Sequence, residues 1–346
     1  MKKIIAILVV FAMVATVAFA ETTFGGSAEV RWSIAGGAPD IIRTSGAIDN
    51  AAFFLSGGND EGTYGGMAKF VFGGHQPNPG RTWEVAPQWY KWDRVFAWWQ
   101  PIPQLRVFLG FDGDGHFNTA NLSRWGHHRM DRGIAVEDWD AGDYLLGNWD
   151  AFGLALMIRP IDGLAVNFAM NIPQSAAEYD ATNGPLENLQ VQASYGLDGV
   201  GTFIVTFKNS GQDRIGLTYQ SAGFVDGLSF EVGGNYNLDN DIIYVGIGVH
   251  YNADVWGVRS RFFMQPNASF FYLKADIMPF FNFDFGTLFV NFRVLTVNSS
   301  TIGWHVNPYL RMPMGGHDFR VGLLLEDHNG DGTISWRLPV SMLVNF

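Results

Sequence analysis

Residues Thr333 to Phe346 constrain the fold more tightly than any other stretch of the chain. Every even position there is apolar (Ile334, Trp336, Leu338, Val340, Met342, Val344, Phe346), and the odd positions are polar except at Pro339 and Leu343. Side chains alternate between the two faces of a β-strand, so this segment has one apolar face and one wet face. Ordinary strands run to about 5–6 residues, whereas a tilted strand that crosses a bilayer needs roughly 9–11. The length therefore points to a membrane-crossing strand. Pro339 has no N–H to give to a ladder, so a bulge or irregularity is expected there.

The other end of the chain agrees. Lys2 and Lys3 precede an apolar run from Ile4 to Val17, followed by Ala18-Phe19-Ala20 and Glu21. A charged start, an apolar middle and an A-x-A site read as a signal peptide over 1–20, with residues 21–346 as the mature domain. The run is short for the ~20 residues of a membrane helix. Charged residues are 16% of the chain, against about 25% in soluble domains. Yet the mean hydropathy is only +0.05, too polar for a bundle of membrane helices. A transmembrane barrel reconciles the two, because half of each strand meets lipid and the other half a polar lumen. The absence of cysteine removes disulfides, thiolate metal sites and a cysteine nucleophile. A net charge of −11 disfavours nucleic acid as a partner.

Along the chain, strand-like stretches recur with a regular cadence. Tight turns at Pro160-Ile161-Asp162-Gly163, Leu197-Asp198-Gly199, Val225-Asp226-Gly227 and Ala253-Asp254 alternate with more polar links. The expectation is an all-β, antiparallel up-and-down barrel of 16–18 strands with both termini at the periplasmic end. The periodicity fails over 112–150, too long for a structureless loop in a compact soluble domain, where connections stay under about 12–15 residues. In a barrel it is a large extracellular loop. Aromatic clusters over Trp83–Trp99 and Phe280–Phe285 suit the belts found at membrane interfaces.

Register then assigns the charges. A charge on the lipid face at the bilayer midplane costs about 2–4 kcal/mol, so the apolar parity of each strand must face outward. With Trp256, Val258, Phe262 and Met264 outward, Arg259 and Arg261 face the lumen; with Phe319, Val321, Leu323 and Leu325 outward, so do Arg320 and Glu326. The same rule turns Glu29, Arg31, Lys69, Arg106, Arg159, Glu231, Lys274, Asp276, Arg293, Arg311 and Arg337 inward. Eleven bases thus oppose four acids on the wall, while acidity concentrates in the loops, above all at Asp131, Glu137, Asp138, Asp140 and Asp143.

Two resemblances follow. The terminal Phe346 closing an alternating strand is similar to the C-terminal signature of bacterial outer-membrane β-barrels, in which the barrel-assembly machinery reads the aromatic end. Arginines on the wall and acids on a long loop resemble the porin family, in which such a loop folds into the lumen against a ladder of bases. That resemblance implies an outer-membrane channel for passive diffusion of small hydrophilic solutes and ions. Arg31, Arg106, Arg159, Arg259, Arg261, Arg293, Arg311, Arg320 and Arg337 would line it, facing the five loop acids. Outer-membrane lipid, the assembly machinery and small solutes are the implied partners, and self-association is left open. The alternative is a non-channel surface barrel, an adhesin or structural protein acting through its loops.

Other motifs lead to weaker chemistry. Asp327-His328-Asn329-Gly330-Asp331-Gly332 matches the start of an EF-hand loop, but position twelve is Leu338 rather than a bidentate glutamate. Asp327, Asn329 and Asp331 are therefore a weak Ca²⁺ candidate and read better as an Asn/Asp/Gly hairpin turn. The pair His127-His128 with Asp131 could meet a transition metal, although solvated loop histidines are commoner. No G-x-S-x-G or convergent triad is present. No enzyme activity and no cofactor are expected.

Overall fold

The computed structural model describes residues 21–37, 43–73, 89–112, 152–171, 189–209, 213–267, 271–298, 300–327 and 329–345. The strands in chain order begin with β1 (Glu21–Gly37), β2 (Arg43–Gly58), β3 (Tyr64–Gly73), β4 (Trp89–Ile102) and β5 (Leu105–Asp112). They continue with β6 (Phe152–Ile161), β7 (Leu164–Asn171), β8 (Leu189–Leu197), β9 (Gly201–Asn209) and β10 (Asp213–Ser221). Next come β11 (Leu228–Asn237), β12 (Ile242–Asn252), β13 (Trp256–Gln265), β14 (Tyr272–Phe283) and β15 (Gly286–Asn298). The last are β16 (Thr301–Met314), β17 (His317–Gly322), β18 (Leu324–Asp327) and β19 (Ser335–Asn345). Apart from β17 and β18, which follow one another along the same line, each pairs antiparallel with its neighbours in sequence, and β1 also pairs with β19, so the sheet closes on itself.

β17 and β18 are two halves of one crossing, which makes eighteen crossings among the described residues. Both halves pair with β16 and with β19, and the register runs on from Tyr309↔Gly322 to Val306↔Leu325 without a shift. The break is chemical. Leu323 N–H donates to the Pro308 carbonyl at 2.9 Å, but proline has no N–H to return the bond. On the other side Pro339 falls between the pairs Val321↔Val340 and Leu324↔Arg337. The irregularity expected at Pro339 is thus an interruption of the neighbouring ladder, while the register with β1 runs straight through Ser33↔Pro339.

The barrel has two unlike ends. The turns after β2, β4, β6, β8, β10, β12, β14 and β16 are two to six residues long, and the outer ends of β1 and β19 lie at this same rim. The two-residue turn Gly315-Gly316 has φ of 59° and 91°, the doubly positive geometry that matches the twist of a hairpin and that glycine adopts without strain. At the opposite rim, β5 and β6 are separated by the long segment identified above, whose acids Asp131, Glu137, Asp138, Asp140 and Asp143 lie outside the described residues. So do the signal segment, His127, His128 and Phe346.

Burial runs inside out. Large apolar side chains stand exposed on the outer surface, among them Phe203, Val205, Ile215, Leu217, Ile243, Phe292, Val294 and Leu338. The side chains shielded by the wall's concave face are largely polar: Asn167, Gln190, Gln192, Thr206, Thr218, Asn235, Asn237, Asn291, Asn307 and Ser341. Gln190 Nε2 and Oε1, Asn291 Oδ1 and Asn307 Oδ1 have no protein hydrogen-bond partner. A dry core would penalise each such group by about 1–3 kcal/mol, whereas water inside a barrel satisfies them. Near the short-turn rim, Trp99, Phe224, Trp256, Phe281, Phe283 and Phe285 form an exposed outer collar, with Phe283 and Phe285 stacked at 5.5 Å. Phe280, grouped with that collar in the sequence, turns inward instead and is buried.

Candidate functional site

The inner wall divides into sectors because successive strands deliver different residues at one parity. On β13–β18 charged residues occupy many of the inward positions. Arg261↔Asp276, Asp276↔Arg293, Arg293↔His305 and His305↔Glu326 are directly paired across the ladder, so these five side chains form one continuous row across the wall. Arg261 Nη2 and Arg293 Nη2 both donate to Asp276 Oδ2 at 3.1 Å, and all three side chains are 4% exposed or less. Glu326 accepts from Ser335 Oγ at 2.9 Å. On the far side of Arg261, paired Gly248 leaves space before Glu231, which accepts from Gln220 at 3.2 Å.

A second cluster lies closer to the short turns. Asp318 Oδ2 accepts from Arg311 at 2.8 Å and from Arg320 at 3.2 Å, and Arg311 and Arg320 are themselves a ladder pair. The motif of the upper cluster recurs here, one carboxylate oxygen shared by two guanidiniums. Charge-assisted bonds of this kind fix a guanidinium plane more firmly than neutral ones do. Arg259 has a different setting: its guanidinium sits 5.5 Å over the Phe280 ring, beside His250.

The other sectors carry fewer charges. Across β7–β9, Asn167 Nδ2 donates to Gln192 Oε1 at 3.2 Å and Gln192 Nε2 to Thr206 Oγ1 at 3.4 Å. On β3–β7 the wall carries an apolar patch, with Phe96, Phe108, Ala155 and Ala169 buried and Met67, Trp98 and Met157 packed on them. β4 and β13 are nine crossings apart in an eighteen-crossing ring. The apolar sector therefore faces the charged one across the lumen.

The arginines singled out from the sequence do not form one group. Arg261 with Arg293, and Arg311 with Arg320, are brought together around Asp276 and Asp318. Arg106 and Arg159 lie instead at the short-turn rim, lining a shallow cleft with Gln100, Pro103, Gln104 and Met157. There Arg106 Nε and Nη2 both donate to Gln100 Oε1, at 2.9 and 2.6 Å, and the guanidinium lies 4.7 Å over Trp98. Arg337 pairs with Leu324, which is fully buried on the inner side. Arg31 is placed by its backbone, opposite Ser341. Inward residues that the sequence argument passed over are Asp318, Lys208, Arg214 and His305. The parity that located Arg320 also gives Asp318, two positions away, and parity with Ile215 and Leu217 gives Arg214.

At 327–333 the carboxylates serve the backbone. Asp327 Oδ1 accepts from Asp331 N–H at 3.2 Å, its Oδ2 from Gly332 N–H at 2.9 Å, and Asp331 Oδ1 from Thr333 N–H at 2.8 Å. That last bond helps hold the Asp331 carboxyl below its ordinary pKa. This is an Asx-type turn, and no group of three or more metal-ligating side chains occurs among the described residues.

No protein-family model matches the chain, and no curated protein does. Solved structures do. OccK2 (OpdF) of Pseudomonas aeruginosa superposes with a TM-score of 0.62 at 10% identity, over 94% of this chain and 98% of that one. OccAB4 of Acinetobacter baumannii gives 0.57 at 9% identity, over 94% and 98%. OpdK of Pseudomonas aeruginosa, solved with vanillate, gives 0.58 at 12%, over 94% and 99%. At these identities the likeness shows the fold alone: this closed eighteen-crossing barrel shares its architecture with those structures, of which OpdK is an outer-membrane protein.

Proposed function

We propose that this chain is an outer-membrane channel through which small hydrophilic solutes and ions diffuse passively, and that its charged wall sector sets which of them pass. The inside-out distribution carries this reading: apolar side chains cover the exterior, and polar and charged side chains line the interior outside the apolar patch on β3–β7. Barrels of 16–18 strands leave an aqueous passage. Rows of charge and the width of the bore set selectivity in such pores. Two arginines to each aspartate, with Arg259 beside them, bias that sector toward anions. In this reading Asp131, Glu137, Asp138, Asp140 and Asp143 of the 112–150 segment supply the opposing charge, and Phe346 serves assembly.

Purified, folded protein in a planar bilayer should give discrete conductance steps, and a salt gradient should give a reversal potential on the anion side. Replacing Arg259 and Arg261 with serine should move that potential toward cations. An unchanged potential removes these two residues from the selective region, and a folded barrel without conductance removes the channel. Vanillate, with which OpdK was solved, is a suitable first organic solute to test.

A further inference from the structure

Four aromatic side chains on the inner wall share one arrangement: each is the ladder partner of an inward glycine on the adjacent strand. The pairs are Phe54 with Gly25, Trp98 with Gly65, Phe280 with Gly257 and Tyr309 with Gly322. At Gly25, Gly65 and Gly257 the partner's ring lies in the space a Cβ would fill, together with the Gly57 and Tyr251 carbonyl oxygens at the last two, whereas at Gly322 the near atoms are Tyr309 Cβ and the Pro308 carbonyl oxygen. A Cβ on Gly25 would lie 2.5 Å from Phe54 Cζ, one on Gly65 2.9 Å from Trp98 Cε2, one on Gly257 2.2 Å from Phe280 Cζ and one on Gly322 2.7 Å from Tyr309 Cβ. Real Cβ atoms do not approach so closely, so a side chain at Gly25 must displace the Phe54 ring, and one at Gly65 or Gly257 must displace the ring and shift backbone as well. All four pairs stand in the half of the barrel nearer the short turns.

We infer that Gly25, Gly65 and Gly257 set the bore of that half by seating aromatic rings flat against the wall. The inference rests on the channel reading and names positioning residues within it. Ladder neighbours crowd a ring along the wall and the strand closes the outward side. The direction left to a displaced ring is toward the axis, into the path of solute. A glycine is thus retained where a strand would otherwise favour almost any other residue, since glycine weakens strands and marks close approach. Phe280 illustrates the crowding: its ring packs tilted by 36° against Phe289 at 5.7 Å, Phe289 stacks on Tyr309 at 4.9 Å, and the Arg259 guanidinium lies 5.5 Å over the Phe280 ring.

Gly25→Ala is the cleanest test, because all the close atoms around its added Cβ belong to the Phe54 ring. In planar bilayers this variant should lower single-channel conductance roughly twofold or more, since conductance follows pore width. Adding Phe54→Ala should restore wild-type conductance, and Phe54→Ala alone should equal or exceed it. A merely structural defect at Gly25 would not be rescued by removing a ring. Unchanged conductance in Gly25→Ala, or a fall that Phe54→Ala fails to reverse, overturns the inference while wild type still conducts. Wild type that folds and stays silent overturns the channel reading and this inference together. If Gly25→Ala does not fold, Phe54→Ala and Phe280→Ala in the native background decide the matter: conductance below wild type contradicts the seating of the rings.

Discussion

Replacing Asp276 with alanine should destabilise the barrel more than any other single change on its inner wall. Asp276 Oδ2 holds both Arg261 and Arg293, and none of the three side chains is more than 4% exposed. Removing the carboxylate leaves two guanidiniums close together with no counter-charge between them. Breaking a buried pair in this way costs about 3–5 kcal/mol, much of it the penalty of stranding the surviving charge. Lumen water lowers the figure toward the smaller end of that range. The readout is the temperature at which detergent-folded protein loses its compact migration on an SDS gel. Asp276→Ala should lose it well below wild type, and Asp276→Asn, which keeps an acceptor, should fall between. An Asp276→Ala barrel as heat-resistant as wild type would show that the two arginines are solvated independently.

A positive charge on the outer face should be nearly as damaging, for a different reason. Leu217 lies at the centre of β10 and is 60% exposed on the exterior. Leu217→Arg places a guanidinium in hydrocarbon, at about 2–4 kcal/mol near the midplane. Gln220, three positions on, faces inward beside Glu231, so Gln220→Arg gains a partner and should fold as well as wild type. The yield of folded protein in lipid vesicles, measured across a urea series, compares the two. Equal yields would mean that the exterior does not meet lipid.

The barrel was legible in the sequence because a membrane strand must satisfy two solvents at once, and period-two alternation records that directly. Its strand number was less legible. Pro308 and Pro339 interrupt one crossing from both sides, so 317–327 reads equally well as one strand or two. The charged wall was found by parity in strands such as β13, where Arg259 and Arg261 alternate with Val258 and Phe262. Parity says nothing where two apolar residues adjoin. In Phe280-Phe281 and in Trp98-Trp99 one member faces inward and one outward, and only the paired glycine on the next strand explains which. Arg106 and Arg159 show a further limit. Parity gives only the face of a strand, whereas height in the barrel depends on turn positions, and both sit at the rim rather than beside Arg261.

The chain has no cysteine, so single cysteines report the facing of each residue without interference. Cysteine placed at Arg214, Ile215, Leu217 and Thr218 in turn, in protein reconstituted into lipid vesicles, can be treated with a charged thiol reagent that does not enter membranes. Positions 214 and 218 should label and positions 215 and 217 should stay protected until the vesicles are dissolved. Labelling at 215 and 217 with protection at 214 and 218 would mean that the oily face is turned away from lipid, and the account of this barrel would be wrong.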